Sequence, residues 1–148
     1  MKPEDLMIND WVQNTCHIAG KVIGFRYYPD TASNDIVIAY HDNSTSWSSP
    51  NQIEPIPLTD DILDKNGWVK EPVEIPKPFG DGGLQVKGYR WLYAGRELYP
   101  FSLLEMRSGG LVIYYVMNKI QYTDMCVHEL QHALRLCGLT DLANNFKV

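Results

Sequence analysis

Five consecutive residues have the types and the spacing to do chemistry: His128, Glu129, Leu130, Gln131 and His132, reading HELQH. In a zinc peptidase two histidines four positions apart project from one helical face onto a single metal ion. The glutamate beside them activates the bound water. On that reading the protein is a zinc-dependent hydrolase, with His128 and His132 as ligands and Glu129 as base. The pattern fixes only three residues in five, so chance matches are common.

Three features weigh against the zinc reading. A catalytic zinc needs a third protein ligand, which peptidase patterns place downstream. Here Arg135 stands where a glycine should be, and Asp141 is the sole acid after His132. Any other third ligand comes from upstream, from His17, His41 or Cys16. On a helical wheel at ~100° per residue, Cys126, Val127, Leu130, Ala133, Leu134 and Cys137 share one arc of about 120°. His128, Gln131, His132 and Arg135 fall on the opposite side, so the imidazoles are expected to point away from the packing surface. They would gain walls only if the N-terminal half docked over them. Finally, a peptidase needs a cleft with an edge strand beside the metal, and the remaining chain offers little room for one. The amphipathic-helix reading therefore outweighs the zinc reading; no metal, cofactor or catalytic residue is expected.

The elements that position these residues follow from pattern. Residues 1–57 are read as an SH3-like small β-barrel. The stretches LMINDWV, GKVIGFRYY and DIVIAYHD are β-branched and aromatic, and a short strand runs through Ser46, Trp47 and Ser48. Residues 58–148 are read as an α+β lobe. Pro55 and Pro57 stiffen the connector, Thr59 caps a short helix opened by Asp60 and Asp61, and Gly67 stops it. After a loop holding Pro72, Pro76, Pro78 and the turn Gly80-Asp81-Gly82-Gly83, three strands form an antiparallel meander: LQVKGYRWLY, ELYPFSLLEMR and LVIYYVMNKIQY. A final helix from Asp124 to about Cys137, capped by Thr123 and ended by Gly138, packs on it. The fold class expected is thus α+β.

Trp11, Tyr27, Tyr28, Tyr40 and Trp47 all fall in the barrel, where large side chains are needed to fill a small core. Trp47, flanked by serines in STSWSSP, is the residue to expect on a rim. With Tyr28 and Tyr40 it forms the expected binding set.

Composition narrows the partners. The 148 residues are 45% hydrophobic and 21% charged, ordinary globular values. A net charge of -5 disfavours nucleic acid as partner and leaves another protein. No run of ~18 apolar residues is present, so no membrane partner is expected. Cys16, Cys126 and Cys137 give an odd count without a CxxC pair, which reads as free thiols in a cytoplasmic protein. Cys126 and Cys137 fall on the apolar arc of the final helix and are expected to be inert. The oligomeric state is not legible.

Three blocks, DLMINDWV, IEPIPLTDDILDKNGWV and IQYTDMCVHELQHALRLCGL, resemble a family of small proteins of gut bacteria and their phages or mobile elements. Those proteins carry "IPLTEE.L.K.GF" mid-chain and "YVHQLQN" or "YVHELQN" near the end. The resemblance implies the same two-part organisation and no known activity. It also implies that HELQH is accidental, because such relatives often have Asn where His132 stands and Gln where Glu129 stands. This chain departs from the family in its more aliphatic tail, HALRLCGLTDL. The function expected is a non-enzymatic binding or adaptor protein, phage- or mobile-element-associated. The alternatives are the zinc hydrolase and a nucleic-acid accessory protein.

Overall fold

The computed structural model describes residues 1–76, 85–108, 111–117 and 120–148. They form an α+β arrangement of two five-stranded antiparallel sheets with helices at the C-terminal end. The expected turns at Gly80 to Gly83 and at Gly109-Gly110 lie outside the described residues.

The N-terminal sheet is a curled half-barrel of order β4-β3-β2-β1-β5. Its strands are β1 (Trp11–Asn14), β2 (Ala19–Tyr28), β3 (Ser33–Tyr40), β4 (Thr45–Ser48) and β5 (Ile53–Glu54). Local chemistry sets the turns. Asn14 Oδ1 accepts the N–H groups of Cys16 and Ile18, and His17 turns through φ +59°. Asp42 Oδ1 likewise accepts from Ser44 N–H, and Asn43 sits at φ +63°. A Cβ at Gly20 would meet Ile38 Cγ2 at 2.4 Å, so only glycine allows β2 and β3 to close there. The register slips between Val22 and Gly24, a bulge that bends the strand. Leu6, Val12, Val22, Ile36, Ile38 and Ile53 fill a core of modest size.

Two expectations for this half are corrected. LMINDWV is not a strand throughout: Asn9 lies at φ +72°, and pairing in β1 begins at Trp11. Nor do most of the aromatics fill the barrel core, against which Tyr40 alone of the five packs. Trp11 is buried in the larger C-terminal core, Tyr27 is exposed, and Tyr28 and Tyr40 are half-buried.

The connector behaves as its residues dictate. Thr59 Oγ1 accepts Ile62 N–H at 3.3 Å, capping α1 (Asp60–Lys65), and Gly67 ends the turn at φ +81°. Before it, Ile56 and Leu58 exchange backbone hydrogen bonds with Val127 and Met125, which pins the connector to the start of the last helices.

The second sheet has the order β10-β9-β8-β7-β6, a five-stranded meander rather than a three-stranded one. Its strands are β6 (Trp68–Pro76), β7 (Gln85–Tyr93), β8 (Leu103–Ser108), β9 (Leu111–Val116) and β10 (Ile120–Thr123). The proline-bearing stretch read as loop is β6, an edge strand, where proline removes no essential ladder bond. LVIYYVMNKIQY splits into two strands, with Met117 at φ +52° after the first.

The long helix α2 (Val127–Leu136) starts later than expected. Thr123 still pairs in β10, Asp124 turns at φ +52°, and Glu129 Oε2 accepts Cys126 N–H at 2.8 Å as the capping group. Gly138 at φ +78° stops it as the sequence requires. A short helix, α3 (Thr140–Asn144), follows. Trp68, Trp91, Leu103 and Val116 of the second sheet, with Phe101 just before β8, form one core with Leu130, Leu134 and Phe146. Among the described residues no helix is long and apolar enough to cross a membrane.

Candidate functional site

Two grooves gather the residues singled out by sequence. The first follows the polar side of α2. That side was expected to face water, and the structure overturns the expectation: Gln131 is 0% exposed and His128 8%. The reason is that residues 7–11 of the N-terminal half lie across it. Gln131 Oε1 accepts Trp11 N–H at 2.9 Å, while its Nε2 donates to Ala143 O at 2.8 Å and Asn9 O at 3.0 Å. One amide of α2 thus ties the N-terminal half to α3.

Beside it lies Asp10, fully buried. Its Oδ2 is 2.6 Å from His132 Nε2 and 2.7 Å from Met7 N, and its Oδ1 accepts from Arg135 Nη1 at 2.5 Å. Arg135 Nη2 also donates to Ile8 O and Asn144 Oδ1. Trp11 Nε1 donates to Phe146 O, and Lys21 Nζ to Asn144 O. A buried carboxylate is tolerable only when its lone pairs are occupied by charge-assisted donors, and here they are.

Past His132 this seam opens into a groove of about 760 Å³, lined in part by Glu4, Asp5, Cys126, His128, Glu129 and His132. The two imidazoles meet edge to face with centroids 5.9 Å apart. His128 Nδ1 is buried without a hydrogen-bond partner. Burial holds the His128 imidazole below its ordinary pKa, against the opposing pull of the Glu129 and Asp10 carboxylates. Burial, then the charges of Glu129 and Asp124, push the Cys126 thiol up to about 11. Cys126 and Cys137 are half-buried rather than fully interior, and all three cysteines are free thiols.

The residues considered as a third zinc ligand lie elsewhere. His17 faces Glu54 at 3.7 Å, His41 stacks against Trp11 at 5.3 Å, and neither Cys16 nor Asp141 lines the groove. Among the described residues no three His, Cys, Asp or Glu side chains converge as a metal set. Glu129, the base of the hydrolase reading, is committed to capping its own helix.

The second groove, about 640 Å³, runs along the rim of the half-barrel between the β1–β2 and β3–β4 turns. Asn14, Ile18, Tyr40, His41, Trp47 and Gln52 are among its walls. Trp47 is 55% exposed. Tyr40 Oη and Ser46 Oγ are 3.1 Å apart, which orients the phenol. The guanidinium of Arg26 lies 5.5 Å from the Trp47 ring and 4.7 Å from that of Tyr28. Of the expected binding set, therefore, Trp47 and Tyr40 share the groove, while Tyr28 stands outside it and touches Trp47 only through Arg26. The hydroxyl and N–H of Ser44 hold the Asp42 carboxyl below its usual range, so a negative charge stands at one end of the groove.

Sequence reasoning missed Asp10 and Gln131, whose partners are some 120 positions away, and Glu105. Glu105 is fully buried and accepts from Trp91 Nε1, Lys70 Nζ and Arg107 Nε at 2.9, 3.0 and 3.1 Å. The signal for the rim was better: a tryptophan among serines, with no apolar neighbour in the chain to bury it. Compared with known protein families, curated proteins and solved structures, the chain matches none.

Proposed function

We propose that the protein is a non-enzymatic binding or adaptor module whose N-terminal lobe is an SH3-like barrel holding a partner protein along its rim. One observation carries the reading: Trp47, more than half exposed, shares an open groove with Tyr40 and His41. A large aromatic face left in water on a small barrel costs free energy that a ligand recovers. Its neighbours Asn14, Ser46, Ser48 and Gln52 supply hydrogen-bond donors and acceptors for a polypeptide backbone. The ligand class that suits such a wall is an extended segment bearing proline or a cation, which stacks on the indole and phenol rings. The Asp42 carboxylate favours the cation further. Free thiols suit a cytoplasmic setting, and the phage or mobile-element association rests on the family resemblance.

Selection of a random peptide-display library on the untagged protein tests this directly. Enriched sequences should carry proline or basic residues, and should lose binding to Trp47→Ala and Tyr40→Ala proteins that remain folded. Peptides retained equally by both variants would contradict the assignment.

A further inference from the structure

The groove beside α2 has a chemistry unlike the rim. Two imidazoles stand on one helical face with centroids 5.9 Å apart, and among the described residues no lysine or arginine side chain lines the space in front of them. On a single tetrahedral ion, with metal–nitrogen bonds of ~2.0–2.1 Å, two imidazole centroids would lie roughly 5.2 Å apart. The observed centroid separation is about 0.7 Å wider than that. His132 is already oriented for the task. Its Nε2 is 2.6 Å from the Asp10 carboxylate, which anchors that edge of the ring and leaves Nδ1 as the nitrogen for a ligand. A carboxylate behind the imidazole is the outer-shell arrangement that fixes tautomer and raises ligand basicity, and Arg135 holds that carboxylate in turn. His128 lines the same groove, is 92% removed from solvent by its 8% exposure, and carries a ring nitrogen with no hydrogen-bond partner. An unpaired buried polar atom is unfavourable, and a ligand for that ring offsets the cost. The carboxylates of Glu4, Asp5 and Glu129 give the space a negative potential.

We propose that His128 and His132 bind one divalent transition-metal ion of the zinc or nickel class. Water, or a carboxylate of Glu4 or Asp5 drawn across the groove, completes the shell. It is a binding site and not a hydrolytic one, because Glu129 Oε2 serves the Cys126 N–H. The assignment is independent of the rim.

The test uses untagged full-length protein carrying Cys16→Ser, which removes the exposed thiol next to His17. Calorimetric titration with Zn²⁺ or Ni²⁺ should show one ion per chain. His132→Gln retains an amide to donate to Asp10 and should weaken binding by at least about tenfold; so should His128→Gln. In nitrogen-detected imidazole spectra, Zn²⁺ should move the signals of His128 and His132 together and leave those of His17 and His41 in place. The site is refuted if there is no saturable binding up to about 1 mM metal. Affinity unchanged in both variants, or shifts confined to His17 and His41, would refute it equally. The spectra of the unsubstituted histidines decide the matter even where a variant fails to fold.

Discussion

The seam along α2 and the rim of the half-barrel are both polar surfaces built on a framework of aromatic and aliphatic residues, yet one is closed and the other open. Along the seam nearly every polar group has its partner inside the chain: Gln131 makes three hydrogen bonds, and Asp10 holds His132, Arg135 and Met7 N–H. Only at its outer end does His128 lack one. At the rim Trp47 and Tyr40 face an open groove, and the Arg26 guanidinium lies beside the Trp47 ring. Polarity therefore does not mark function here. What separates the two places is whether the chain supplies its own partners, and that depends on residues far away in sequence.

The comparison can be broken most severely at Asp10. Asp10→Ala strips the buried partner from both Arg135 and His132, and should lower unfolding free energy by about 3–5 kcal/mol, read by urea denaturation. Gln131→Leu keeps the volume and removes the amide, leaving Trp11 N–H and the carbonyls of Asn9 and Ala143 without it; a loss of about 2–4 kcal/mol is expected in the same assay. Neither change should alter which peptides the rim selects.

The third effect depends on pH. The folded His128 pKa lies below the ordinary 6.5, so below that pH the unfolded chain takes up a proton that the folded chain resists. His128 therefore costs the metal-free protein no stability above pH 6.5. Stability falls as pH drops from there towards the lowered folded value, by at most about 1.4 kcal/mol per pH unit. Denaturation midpoints measured in chelator between pH 7 and 5 should show this slope, and His128→Phe should flatten it. Smallest of all should be Trp47→Ala, within about 0.5 kcal/mol of the wild type in stability, because an exposed ring gives up little packing. Its effect should appear in binding alone.

Much of the framework was legible because its causes are local. Thr59 capping α1, Gly67 and Gly138 as left-handed stops, and Trp47 on the surface follow from residues within a few positions of one another. The edge strand β6 was hidden, since Pro72 and Pro76 argue against a strand unless its edge position is known. The polar side of α2 was misread for a deeper reason. A helical wheel sorts side chains by polarity and reports one apolar stripe, but Asp10 and Trp11 cover the other side from 120 or more positions away. A glutamine between two histidines looks the same on the wheel whether it meets water or three backbone groups.

A double-mutant cycle between Asp10 and Arg135 tests most directly whether this side of α2 is a sealed joint between the two halves. Equilibrium unfolding of Asp10→Ala, Arg135→Ala and the double variant should give a coupling of about 2 kcal/mol or more, the range of buried, hydrogen-bonded charge pairs. Free energies that simply add, to within roughly 0.5 kcal/mol, would place the pair in water and contradict the joint.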